Sequence, residues 1–172
     1  MGDFRDSIKV DNIDSNKAIA SSKEKLNSEV LKLIEFIKTE IKRIDPDLEP
    51  VDIFLNGNCG DLASILSEEF PDLAQPYVIR YKKRDPYHIV TKIGDKFYDI
   101  TGETDIIKYN KYLNTHNRRS FEEKDFEILK AGLYDVMIQS GKYRYNEYLE
   151  RSEIKDQMKE LREAIRNREK NK

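Results

Sequence analysis

Tyr87-His88-Ile89-Val90-Thr91-Lys92-Ile93-Gly94-Asp95-Lys96-Phe97-Tyr98-Asp99-Ile100 is two runs of β-branched and aromatic residues parted by Gly-Asp. Runs of that composition favour strands, and a two-residue Gly-Asp break favours a tight hairpin turn. With Gly94-Asp95 as the turn, Ile93 pairs with Lys96, Lys92 with Phe97, and Val90 opposes Asp99. Side chains alternate along a strand, so His88 shares a face with Val90, and Asp99 becomes its diagonal neighbour. Diagonal Cβ atoms lie up to about 7–8 Å apart, a gap that an imidazole and a carboxylate can close. An acid inside so short a strand needs a partner, and a histidine supplies one. The simpler alternatives are that Asp99 caps the turn at Gly102 and that His88 is a strand-end histidine with a local hydrogen bond.

Upstream, Asn56-Gly57-Asn58 reads as a turn. A helix follows, with Cys59, Leu62, Ala63, Leu66 and Phe70 on one face and Pro71 at its end. Cys59 therefore falls in the first helical turn. Unpaired backbone N–H groups and the helix dipole favour an anion there, which makes a thiolate accessible. A free cysteine is more commonly a small buried apolar residue. The chain has one cysteine and two histidines, and the second histidine, His116, lies in a polar run read as solvated loop. Cys59, His88 and Asp99 together have the makings of a nucleophilic triad. Cys59 attacks an acyl carbon, His88 takes the thiol proton and later protonates the leaving group, and Asp99 fixes the ring tautomer. The oxyanion would be held by the backbone N–H of Cys59 and a side-chain amide, with Asn56 and Asn58 the candidates. Asn58 is equally well read as the helix N-cap.

Around this core the pattern is mostly helical. Met1 to Ser21 is polar without sustained periodicity and reads as an N-terminal arm. From Ser22, Leu26, Val30, Leu33, Ile34, Ile37, Ile41 and Ile44 form one apolar stripe, stopped by Asp45-Pro46-Asp47. Val51 to Leu55 is a short apolar approach, and Tyr77 to Tyr81 a strand. A charged loop follows at Lys82-Lys83-Arg84-Asp85-Pro86, and polar linkage runs from the hairpin to about Arg119. Phe126, Leu129, Leu133 and Val136 predict a further helix ending near Gly141. A last helix begins at Tyr143, with Ile154, Met158, Leu161 and Ile165 as a narrow seam that packs across the domain or pairs with another chain. The division is 1–21 arm, 22–150 α+β domain and 151–172 charged C-terminal helix. Lys108–Leu113 and Arg144–Leu149 resemble each other, over too short a span to mark a duplication.

Composition narrows the function. The chain has 172 residues, 38% hydrophobic and 37% charged, with a net charge of −2. Bulk attraction to nucleic acid or an anionic membrane is not expected. Tyrosines interleaved with basic residues could stack on bases, but amphipathic helix surface explains them as well. A lone cysteine excludes an intrachain disulfide and suits a reducing compartment. No metal site and no cofactor is expected. No apolar run is long enough to span a membrane, and the opening Met1–Asp6 has no signal core. The expectation is a cytoplasmic protein, or one delivered into a host cytosol without a signal peptide. Ile44 to Gln75 holds Asp45, Asp47, Glu49, Asp52, Asp61, Glu68, Glu69 and Asp72 with no basic residue, either as solvated surface or as the acidic wall of a cleft.

Gly57-Asn58-Cys59-Gly60-Asp61-Leu62-Ala63, His88-Ile89-Val90 and Gly94 to Thr101 resemble the core of the papain-like and transglutaminase-like cysteine enzymes. In those families a cysteine opens a helix with a small residue four positions on, here Ala63. A histidine starts one strand, and an aspartate ends the next, two residues before a threonine, here Thr101. C39-type peptidases have a similar order. The resemblance covers about 50 residues. It implies an α+β fold in which the nucleophile helix packs on a small antiparallel sheet, with N- and C-terminal helices added. It also implies acyl chemistry through a thioester. The leading expectation is a cysteine hydrolase acting on an amide or peptide bond of a protein or peptide substrate. The alternatives are a deamidase or transglutaminase-like acyl transferase effector, and a catalytically inactive interaction or inhibitor protein. Two features depart from the family. Papain-like peptidases place a glutamine before the cysteine, whereas the nearest here, Gln75, follows it; and the chain has no tryptophan.

Overall fold

The computed structural model describes residues 7–55, 57–81, 86–105, 126–132 and 152–170, with side chains described over most of these. The architecture is α+β. Helices α1 (Ser7–Ile44), α2 (Pro50–Leu55) and α3 (Cys59–Glu69) precede strands β1 (Ala74–Tyr81), β2 (Pro86–Ile93), β3 (Lys96–Asp99), β4 (Gly102–Thr104) and β5 (Phe126–Lys130). Helix α4 (Ser152–Lys170) closes the described chain. The strands form one antiparallel sheet in the order β4-β3-β2-β1-β5.

The hairpin carries the register read from the sequence: Ile93 pairs with Lys96 and Lys92 with Phe97. Gly94 makes this turn at φ 64°, a conformation side chains with a Cβ rarely adopt. Helix α1 lies across the same end of the sheet. Lys23 reaches Asp95 in the turn at 2.9 Å, and the Tyr98 hydroxyl donates to Asn27 Oδ1 at 2.7 Å. The stripe on α1 is the backbone of the core: Val30, Leu33, Ile34, Ile37 and Ile41 are fully buried against Leu62, Ile65 and Leu66 of α3 and Ile93, Tyr98 and Ile100 of the sheet. Met158, Leu161 and Ile165 of α4 complete this cluster, so the C-terminal seam packs across the domain.

Three expectations change. The helix expected from Ser22 starts at Ser7, which makes most of the segment read as an arm helical. Nothing between Ser7 and Ser21 is Gly or Pro, so a helix nucleated on the packed stripe can propagate backwards at little cost per residue. Phe126–Lys130 is a strand and not the start of a helix. Its three-residue apolar spacing fits a helix, but β1 offers an open edge, and Val78 pairs with Leu129 along it. Tertiary pairing overrides so short a periodic signal. Leu133 and Val136 lie outside the described residues. Thirdly, the acidic stretch is in part the seat of α4. Arg162 pairs with Glu68 at 2.6 Å, Arg168 with Glu69 at 3.2 Å, and Gln157 donates to Asp45 at 2.9 Å. The near-repeat, His116 and the basic loop 82–84 also fall outside the described residues.

Leu161 is wholly buried and Lys159 is exposed on the same helix. Leu161→Ala should cost about 2–5 kcal/mol in urea unfolding, and Lys159→Ala within about 0.5 kcal/mol of nothing. Equal effects would mean that α4 is not part of the core in solution.

Candidate active site

Helix α3 begins at Cys59 because of what stands before it. Gly57 sits at φ 138°, which a residue with a Cβ would enter only under strain, and this kink turns the chain out of α2. The Asn58 carbonyl then accepts from Asp61 and Leu62 N–H at 3.0 and 3.2 Å, closing the first turn. The N–H groups ahead of these have no partner within the helix. Asn58 is 4% exposed and holds the N-cap position, yet its side chain makes no capping bond. The side-chain cap expected of it is not made. Asn56 lies outside the described residues. Cys59 is partly exposed and rests against the small cluster of Ala63, Val78, Ile89 and Ala131.

His88 and Asp99 are 1% and 2% exposed. Their bond joins Nε2 to Oδ2 at 3.3 Å. His88 is the last regular pair before a bulge: Ile79 pairs with His88, but Arg80 pairs with Pro86, so β2 carries one extra residue at Tyr87. Bulges re-aim neighbouring side chains and recur beside active sites. No sequence signal marks this one. The other Asp99 oxygen, Oδ1, accepts from the Thr101 backbone N–H at 2.7 Å and its hydroxyl at 2.6 Å. Asp99 therefore both caps the turn and meets His88, one oxygen for each.

The electrostatics follow from this arrangement. Burial pulls the His88 pKa down; the bond to Asp99 and the influence of Cys59 outweigh it, and the imidazole is pushed up to about 9. Burial pushes Asp99 up, but His88 and the two Thr101 donors hold it below the usual carboxylate range. Ionised Asp99 can only accept, so Nε2–H is the donor and the lone pair of a neutral ring lies at Nδ1. Gln75, the nearest glutamine to Cys59, is committed elsewhere: its amide donates to Pro76 and Ala131 carbonyls at 3.0 and 2.6 Å, tying the end of β5 to β1. Among the described residues no group of three or more His, Cys, Asp or Glu could hold a metal ion, and no helix is long and apolar enough to cross a membrane.

The fold and site define an α+β domain with a buried His–Asp pair and a cysteine opening the adjoining helix. The chain belongs to the Phage YunG-like protein family, whose model matches residues 33–150. That stretch contains Cys59, His88 and Asp99. No curated protein and no solved structure matches the chain.

The pair has a pH signature. A folded-state His88 value above the ordinary 6.5 means that the native protein holds the proton more tightly. This stabilisation is complete below about 6.5 and is lost as pH rises towards about 9. The depressed Asp99 acts at the other end: its contribution is present above the ordinary carboxylate range and is lost as pH falls through the folded-state value. Asp99→Asn should therefore flatten the decline in urea stability between pH 6.5 and 9. Asp95→Asn, which removes an exposed carboxylate paired with Lys23, should leave that decline intact. The same slope in wild type and Asp99→Asn would remove Asp99 from control of His88.

Proposed function

We propose that Cys59, His88 and Asp99 act as a catalytic triad, and that the protein is a cysteine hydrolase cleaving a protein amide or peptide bond through a thioester. The observation that carries this reading is the buried His88–Asp99 pair, joined Nε2 to Oδ2 at 3.3 Å, with Cys59 among the groups that raise the His88 pKa. Of the three residues only Cys59 is partly exposed. A buried, oriented base beside a less buried cysteine is the polarity that acyl transfer requires.

In this mechanism Sγ attacks the carbonyl carbon as the thiolate, its proton held on His88. The tetrahedral oxyanion is met by the Cys59 backbone N–H, with the amide of Asn58 or Asn56 as second donor. That the Asn58 side chain makes no capping bond supports the first choice. The C–N bond breaks as His88 protonates the leaving nitrogen. Water then attacks the thioester and gives its proton to His88, the carboxylic acid departs, and the thiol is restored. Asp99 stays ionised throughout and holds Nε2–H, leaving Nδ1 to carry the proton. If an amine replaces water in the second half, the same site performs acyl transfer; if the substrate is a side-chain amide, it deamidates. An effector that modifies a host protein is the alternative reading with which the family's description as a phage protein is compatible.

As the sole thiol, Cys59 reports its own reactivity. Iodoacetamide should alkylate it at pH 7 several-fold to about tenfold faster than free cysteine, since an ordinary thiol is only a few per cent ionised there. His88→Ala should abolish the excess, and Cys59→Ser should abolish turnover with the fold retained. A slow rate, steep in pH and indifferent to His88→Ala, would identify a structural thiol and a non-catalytic protein.

A further inference from the structure

Asp99 has two oxygens, and they are not equivalent. Oδ1 accepts from Thr101 twice, from the backbone N–H at 2.7 Å and from Oγ1 at 2.6 Å, while Oδ2 faces His88 Nε2 at 3.3 Å. The terminal torsion of an aspartate is soft, with broad wells. A single donor on Oδ1 would leave the carboxylate plane free to rock. Two donors from one residue fix that plane and so fix where Oδ2 points. The backbone N–H would come with any residue at 101. The hydroxyl comes only with Thr or Ser.

We infer that Thr101 is a positioning residue for the candidate triad: its hydroxyl, acting through Asp99, sets the aim of Oδ2 on His88 and thereby the proton affinity of the imidazole that serves Cys59. This rests on the triad reading. Two effects converge in it. The hydroxyl keeps the carboxylate ionised, because a hydrogen bond to the charged form favours that form. It also keeps the carboxylate aligned, and alignment is what allows one buried charge to offset the burial of another. The groups that hold the His88 proton against burial are Asp99 and Cys59. If Oδ2 swings away, burial is the larger influence left, and it acts downwards.

The test uses the full chain as Thr101→Val, Thr101→Ala and Thr101→Ser, with the His88 ring followed by NMR titration and His116 as internal reference. Cys59 alkylation by iodoacetamide is read in parallel. In Val and Ala the His88 pKa should fall from about 9 by a unit or more; one unit corresponds to about tenfold in proton affinity, and a loss of that order is expected in the alkylation rate at pH 7. Thr101→Ser should restore both to within about twofold, which a turn-capping role alone does not require of the His88 titration. If Val perturbs the fold, Ala against Ser gives the same comparison. Val, Ala and Ser variants that all titrate like wild type, while wild-type alkylation still depends on His88, would leave Thr101 as a turn cap and overturn the inference alone. Wild-type alkylation unaffected by His88→Ala would overturn the triad and this inference together.

Discussion

The His88–Asp99 bond is the constraint on which the site and the sheet both depend. Burial alone would drive each group neutral, the acid upwards and the imidazole downwards. In place both shift the other way, because each is the other's counter-charge. Neither residue can occupy the interior without its partner, since a buried charge left alone costs several kcal/mol. The pair therefore polices the hairpin register. A one-residue slip of β3 against β2 would carry Asp99 to the opposite face, strand it, and strand His88 with it. The Gly94 turn, the alternation of the strands and the electrostatics of the site express a single requirement.

A second requirement is that the thiol be held still. Cys59 sits at the end of α3, and a helix positions its first residue only as well as its body is anchored. Leu62, Ile65 and Leu66 lock one face of α3 into the main core. At the far end, Arg162 and Arg168 of α4 grip Glu68 and Glu69. The exposed Arg162–Glu68 pair contributes little to stability by itself, and Arg168–Glu69 is the more buried of the two. Their geometric effect is larger, because two contacts on successive residues oppose rotation of α3 about its axis, the motion that would move Sγ relative to the β2 bulge. Sites carried on such anchored elements hold their geometry better than sites on loops.

What was legible in the sequence follows from the range of the forces involved. The α1 stripe, the start of α3 and the Gly94-Asp95 hairpin are encoded by residues near one another, and each was readable. So was the meeting of His88 with Asp99, because a two-residue turn propagates its register along both strands. Phe126–Lys130 was misread because its conformation is decided by the open edge of β1, some fifty positions earlier in the chain. The bulge at Tyr87 was invisible for the same reason: it is a mismatch between two strands and belongs to neither alone. The length of α1 was underestimated because apolar periodicity marks where a helix packs, and an unpacked helix without Gly or Pro can run on beyond it. The spacing of Thr101 from Asp99 is legible in the sequence; that its N–H and hydroxyl both donate to one oxygen depends on the folded turn.

The family-matched segment, 33–150, does not contain the whole core of this chain. Val30 precedes it, and Met158, Leu161 and Ile165 follow it, yet all four lie in the same buried cluster as Leu33, Ile37 and Leu66. The start of α1 and all of α4 are thus cover for an apolar surface that the matched segment would otherwise expose. The start of α1 lies over the Gly94 turn, and α4 meets the C-terminal end of α3. Cys59 stays partly open while residues one turn further on are sealed. Helix α4 anchors the C-terminal end of α3, the end remote from Cys59.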